Sequence, residues 1–308
     1  MNPFFQGSIN YLEIKIMTQA TKTSYRSATR VFTAPRATDG DGVQLRRAFP
    51  GSALMDLDPF LLLDEMGPVQ MRPGEATGFP PHPHRGFETV TYLLSGEFQH
   101  RDSWGNHGVL HPGDVQWMTA GSGLVHSELP GETMKREGGV LHGFQLWINL
   151  PRSDKMIAPR YQDTPSSRIP VAHTADGAVQ VRVIAGEALG VKGVIETRIP
   201  ILYLHATLAP GAEFSQTVPR GENAFAFVIQ GEAAFGDAQA TENQLVIFDR
   251  AADSVLVRNT GDGPLSLLLI AGQPIGEPVA RRGPFVMNTR EELQQAVEDY
   301  LAGRMGTL

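Results

Sequence analysis

The chain has 308 residues, 41% hydrophobic and 19% charged, which excludes a disordered polymer and points to two domains of ordinary size. A net charge of −7 leaves no electrostatic footprint for nucleic acid, and no run of about 18 apolar residues is present to span a membrane. Cysteine is absent, so disulfides, thiolate nucleophiles and cysteine-held zinc or iron–sulfur centres are ruled out, and a cytoplasmic location is expected.

Residues 1–28 are expected to form a flexible N-terminal extension. Residues 1–16 lack a basic stretch followed by an apolar one, so no secretory signal is expected, and Met17 is a candidate start. From Met17 to Arg36 the text is basic and Ser/Thr-rich without an acid, the pattern of a transit peptide or of a plain tail; the tail is preferred.

Glycine and proline together make up about 18% of the chain against a usual ~12%, so turns are frequent and an all-β fold is expected. Residues 29–160 read as a first strand-rich unit. Phe87–Leu94 mixes β-branched and aromatic residues and stops at Ser95-Gly96. Val115–Thr119 follows Pro112-Gly113-Asp114 and precedes the turn Ala120–Gly123, and Leu141–Leu150 closes at Pro151. A Pro/Ser-rich stretch between 151 and 180 marks the boundary. Residues 161–308 form a second unit, with strands over Ile201–Thr207, Ala224–Ile229, Leu245–Phe248 and Leu265–Ile270. Its end changes period. Thr289-Arg290-Glu291-Glu292 is a capping box, and Leu293, Ala296, Val297, Tyr300 and Leu301 make the apolar stripe of an amphipathic helix stopped by Gly303. The two blocks resemble each other faintly. Laying Gly96 on Gly231 places Thr217, Pro219 and Asn223 where the first block has His82, His84 and Glu88, so only the first unit is expected to carry metal ligands.

His82-Pro83-His84 and His126-Ser127-Glu128 are the residues with the most chemistry. A strand sends i and i+2 to one face, so two neighbouring strands with such pairs aim three imidazoles and one carboxylate at a point. Three nitrogens and one oxygen suit Fe(II), Mn, Ni, Co, Cu or Zn and leave positions open for a substrate or O2. Glu88 shares parity with His82 and His84 if the strand is regular; it could ligate, hydrogen-bond a ligand histidine or sit at the rim, and the last two are preferred. His100, His107, His111, His142, His173 and His205 lack paired spacing and read as exposed or hydrogen-bonded imidazoles. Phe87, Gln116, Trp117, Met118 and Trp147 are core candidates, alternate ones lining an apolar pocket, and Arg85 is read as a surface charge.

HPHRGFETVTYLLSGEFQHRDSWGNHG (82–108) and HPGDVQWMTAGSGLVHSELP (111–130) resemble the two cupin motifs in the form particular to the pirin family. LLLDEMGPV (61–69) and GPFVMNTREELQQAVEDYLAGRMG (283–306) resemble further pirin segments, so the likeness runs from about residue 30 to the end and leaves out residues 1–16. It implies a bicupin: two stacked antiparallel β-barrels, the second without a metal, with the C-terminal helix. It implies His82, His84, His126 and Glu128 as ligands of one divalent metal per chain, most often iron as Fe(II). The acid after the His-x-His pair is not a ligand in pirins, which accords with the preferred readings of Glu88. The implied activity is that of a quercetin 2,3-dioxygenase, opening a flavonol-like aromatic substrate with O2 and releasing carbon monoxide, with Glu128 as the base. The alternative is an iron-containing, redox-sensing regulatory protein that binds a transcription factor or a metabolic enzyme, as implied for other pirins.

Overall fold

The computed structural model describes residues 24–308; residues 1–23, on which most of the expected flexible extension and the candidate start fall, lie outside the described residues. The chain folds as two all-β cupin units, each a seven-stranded sheet facing a four-stranded one, with a C-terminal helix. In the first unit the large sheet runs Arg160–Thr164, Val115–Thr119, Phe87–Ser95, Gly139–Asn149, Phe60–Met71, Val43–Phe49, Arg36–Asp39. Its small sheet runs Phe79–His84, Leu124–Pro130, Phe98–Asp102, His107–Leu110. The second unit repeats this order strand for strand, with Glu213–Thr217 in the place of Phe79–His84 and Ser254–Asn259 in the place of Leu124–Pro130.

Two strands cross the divisions read from the sequence. Ala28–Thr33, at the start of the first block, pairs with Gln244–Phe248 at the edge of the second large sheet. Arg160–Thr164, beyond the first unit in sequence, pairs with Val115–Thr119 and fills the matching edge of the first. Each edge is thus covered by chain from outside its own unit, which leaves fewer unpaired backbone groups. Residues 24–28 are anchored too. Arg26 is buried, and its guanidinium donates to the carbonyls of Ala252 (3.1 Å), Glu222 (2.7 Å), Val218 (3.2 Å) and Pro219 (2.6 Å). Arg26→Ala leaves these acceptors without their donor, and an expected loss of about 2–4 kcal/mol follows; urea denaturation of the two proteins checks it.

The large sheets meet face to face. Val90, Tyr92, Phe144 and Ile148 from the first join Tyr203, Phe225, Phe227 and Ile270 from the second in one apolar cluster. Aromatic edges interlock across the seam, with Phe60 and Phe225 centroids 5.2 Å apart and Phe144 and Phe227 5.5 Å apart. At its centre Tyr92 Oη and His205 Nδ1 are 2.8 Å apart, and His205 Nε2 lies 2.8 Å from Ser266 Oγ. Burial pushes Tyr92 up to about 12 and His205 down to about 4, so both stay neutral.

The interior of the second unit is filled by apolar side chains, among them Phe214, Val218, Val255 and Val257. Its strand Glu213–Thr217 turns Phe214 and Gln216 inward and Thr217 outward. The alignment through Gly231 is therefore out by one residue here, and in an element of period two that swaps the faces.

The helix Arg290–Leu301 carries the capping box read from the sequence, with Thr289 Oγ1 accepting from the Glu292 amide and the Glu292 carboxylate accepting from the Thr289 amide. Leu293 and Ala296 are buried, whereas Tyr300 and Leu301 face solvent. The helix reaches the first unit: with Phe285, Met287 and Met305 it covers Val125. Lys155, buried, fastens this arm, donating to the carbonyls of Gly86 (2.8 Å) and Val286 (3.0 Å) and to Asn149 Oδ1 (2.8 Å). Burial lowers its pKa to about 8. Among the described residues no helix is long and apolar enough to cross a membrane.

Candidate metal centre

His82 and His84 stand two apart on Phe79–His84, and His126 lies directly across from His82 on Leu124–Pro130. Strand alternation turns the pair to one face, and the register brings His126 to meet it. The Nε2 atoms of His84 and His126 are each 3.0 Å from Nε2 of His82. His82 Nδ1 is 2.8 Å from the Pro80 carbonyl, which accepts its N–H and aims Nε2 at the other two rings. His84 and His126 are buried, and desolvation together with the nearby His82 holds both well below the ordinary imidazole range, so they are neutral ligands in waiting.

Nδ1 of His84 and of His126 is buried without a hydrogen-bond partner, and the Nε2 atoms of both rings turn to His82. Metal–nitrogen bonds of about 2.1 Å at right angles require nitrogens about 3.0 Å apart, against about 3.4 Å for a tetrahedral angle. The two 3.0 Å spacings to His82 match the right-angle value, and the three imidazoles suit a divalent ion.

Glu128 stands apart. The described residues whose ligand atoms lie within 4.8 Å of one another are His82, His84 and His126. The pairing with Phe79–His84 shifts register between His126 and Glu128, and the carboxylate is drawn to the large sheet. There Thr91 Oγ1 donates to Oε1 at 2.8 Å, and Gln145 Nε2 donates to both oxygens at 3.1 and 3.2 Å. Gln145 and Thr91 were not singled out from the sequence. Gln145 shares strand parity with Trp147, a signal that is usable only once the strand register is known.

An aromatic wall flanks the histidines. The His84 ring is 5.1 Å from both Phe87 and Trp147, and those two rings lie 4.5 Å apart. A cavity of about 580 Å³ opens on His82 and His84, bounded by Gln145 and Trp147 and, from the C-terminal arm, by Arg281 and Pro284. Gln116 and Met118 are buried on the strand Val115–Thr119, while Trp117 turns to the seam between units.

Glu88 does not face this cavity. Gly86 has φ +87°, a conformation suited to glycine, and the chain breaks there before a new strand begins at Phe87. The break shifts parity, so Phe87 points to the metal side and Glu88 to the opposite face. The Glu88 carboxylate is buried and accepts from Thr119 Oγ1 at 2.6 Å; burial raises its pKa despite that bond. Arg85 is likewise no surface charge: it is buried, with Nη1 2.7 Å from Asp299 Oδ2 and Nε donating to the Ser122 carbonyl at 2.7 Å. His107, His111 and His173 are exposed, and His142 pairs with Glu65 at 2.9 Å. His100 is buried, stacked on Tyr161 with Nε2 3.3 Å from Asp163 Oδ2.

The family model for pirin matches residues 42–148, and that for the pirin C-terminal cupin domain matches residues 203–306. The chain belongs to the pirin family. Among pirin relatives, the pirin-like protein of Solanum lycopersicum is 47% identical over 270 residues, covering 87% of this chain and 89% of that one. Pirin of Homo sapiens is 46% identical over 272 residues, covering 87% and 90%. A solved structure of quercetin 2,3-dioxygenase from Acinetobacter baumannii matches with a TM-score of 0.87 at 34% identity, over 92% of this chain and 99% of that one. This pirin's three-histidine cluster, in the first cupin, is able to bind a metal.

Proposed function

We propose that the chain is a cytoplasmic, iron(II)-dependent dioxygenase of the quercetin 2,3-dioxygenase type, acting on a flavonol-like substrate with O2. The observation that carries the reading is the convergence of three imidazoles beside a cavity that opens on His82, His84 and Trp147. The likeness to the solved quercetin 2,3-dioxygenase supports it. His82, His84 and His126 would hold the ion, and Glu128 would join them as a fourth ligand only by shifting from its Thr91 and Gln145 partners. A bound divalent ion supplies Lewis acidity that lowers the pKa of a substrate hydroxyl.

The protein's own groups do the rest. Glu128 takes the 3-hydroxyl proton at Oε2, the oxygen that Thr91 leaves free, while Thr91 and Gln145 hold the carboxylate in place. Trp147, backed by Phe87, holds the flat ring, and the electron-rich enolate then reacts with O2 as the ring opens and carbon monoxide leaves. Glu128→Gln is expected to retain iron and lose about 10²–10⁴-fold in turnover, the contribution of a positioned base. Iron content and O2 consumption measured on one preparation check this; full turnover with iron retained would remove Glu128 from the base role.

The function is tested by O2 uptake and CO release on adding quercetin to Fe(II)-reconstituted protein. Stoichiometric CO supports the dioxygenase. One equivalent of bound iron without turnover moves the reading to a redox-sensing protein that acts through a partner.

A further inference from the structure

Two guanidinium groups lie in the wall of the cavity that opens on the histidines, and they differ in one respect. Arg47 is paired with two carboxylates: Nε and Nη2 meet the two oxygens of Asp64 at 2.9 and 2.7 Å, and Nη2 meets Asp39 at 2.6 Å. Arg281 has no carboxylate partner among the described residues. Its Nη1 donates to the Leu61 carbonyl at 3.0 Å, and the guanidinium lies 5.0 Å from the Trp147 ring centroid. A guanidinium has five N–H donors, so most of those on Arg281 are free, and the residue is exposed enough for a ligand to reach. Partial desolvation, with Arg47 adding to it, lowers its pKa from the ordinary value; Asp56 and Asp64 oppose this without overcoming it. Asp39, Asp41 and Asp64 also line this cavity, but none of them meets the Arg281 guanidinium, and Asp39 and Asp64 are paired with Arg47.

Geometry says where an anion for it would come from. Trp147 neighbours both Arg281 and His84, at 5.0 and 5.1 Å from its ring centroid, so guanidinium and imidazole are no more than about 10 Å apart. Because Arg281, His82 and His84 line one cavity, a fused aromatic substrate with its reacting oxygen at the histidines carries its far ring toward Arg281. We propose that Arg281 determines specificity in this pirin by binding an anionic oxygen, a carboxylate or phenolate, on the far ring of an aromatic substrate. This rests on the flavonol-type reading above and deepens it. It also gives the C-terminal arm a direct part in the site, since Arg281 arrives on the strand Ala280–Arg282, whose partner Phe285–Met287 packs with the C-terminal helix against Val125.

The test uses the full chain loaded with one equivalent of Zn(II), which has no redox chemistry, so that binding is read without turnover. Anaerobic calorimetric titrations compare 3-hydroxyflavone with the same compound carrying a 4′-carboxylate. The native protein is expected to favour the carboxylate about ten- to a hundredfold, the range of a charge-assisted hydrogen bond. R281Q brings the ratio close to one, and R281K, which keeps the charge, restores most of it. A ratio that R281Q leaves unchanged overturns the assignment of Arg281 while the flavonol reading stands. Failure of both compounds to bind native protein overturns the flavonol reading and this inference with it.

Discussion

His126→Ala is expected to abolish metal-dependent O2 consumption and to weaken metal binding by more than about 100-fold, since even outer-sphere changes at such sites cost 10–100-fold. His126 supplies one of three nitrogens and sits across the sheet from His82, so no other imidazole of the group can take its place. A second readout is independent of turnover. A ligand present at 100 times its dissociation constant stabilises the folded state by about 2.7 kcal/mol. For a chain of this size that amounts to a rise in Tm of about 4 °C on adding metal. Native protein is expected to show the rise and His126→Ala to lack it, in a thermal melt with and without Fe(II) under argon. A variant that still binds one equivalent with the native shift would place the metal elsewhere.

The other large effect is expected at Asp299. Its carboxylate meets Arg85 at 2.7 Å and Arg304 at 2.6 Å, where the C-terminal helix reaches the turn that follows His84. Burial pushes Asp299 up, but Arg85, Gln295 and Arg304 outweigh it and bring the carboxyl down to about 2. Exposed pairs contribute about 0–1 kcal/mol, and breaking a buried pair costs about 3–5 kcal/mol. Arg85 is buried and Asp299 partly reaches water, so Asp299→Ala is expected to cost about 2–3 kcal/mol. Because the folded pKa lies below the ordinary value of 3.8, the stabilisation is present above about pH 4 and is lost as pH falls through about 2. Native protein should therefore lose stability over this acid range more steeply than Asp299→Ala. Hydrogen exchange gives a local view: the Val286 amide, bonded to the Arg85 carbonyl at 3.1 Å, should exchange faster in the variant, ahead of the strands in the seam. Uniform exchange in both proteins would show that the ion pair does not hold the arm.

Glu128 and Arg85 show what kind of information a linear sequence holds. The spacing of His82 and His84 sets their common face, because alternation is a property of every strand. The capping box at Thr289 was equally legible, because four consecutive residues contain both of its hydrogen bonds. Glu88 and Thr217 were misplaced for one shared reason. A single irregularity, the break at Gly86 or a one-residue offset along Glu213–Thr217, reverses every face that follows, and residue types give no sign of it.

By itself, then, the sequence determined the all-β class, the cupin motifs, the final helix and the three imidazoles, since each depends on local period or on a short dense motif. Only the tertiary structure decided the rest. The edge strands exchanged between units, the arm folded back over Val125, the engagement of Glu128 by Thr91 and Gln145 and the free guanidinium of Arg281 beside Trp147 all join residues far apart in the chain. Such contacts depend on how whole sheets pack, which burial and loop closure settle collectively and no local pattern records.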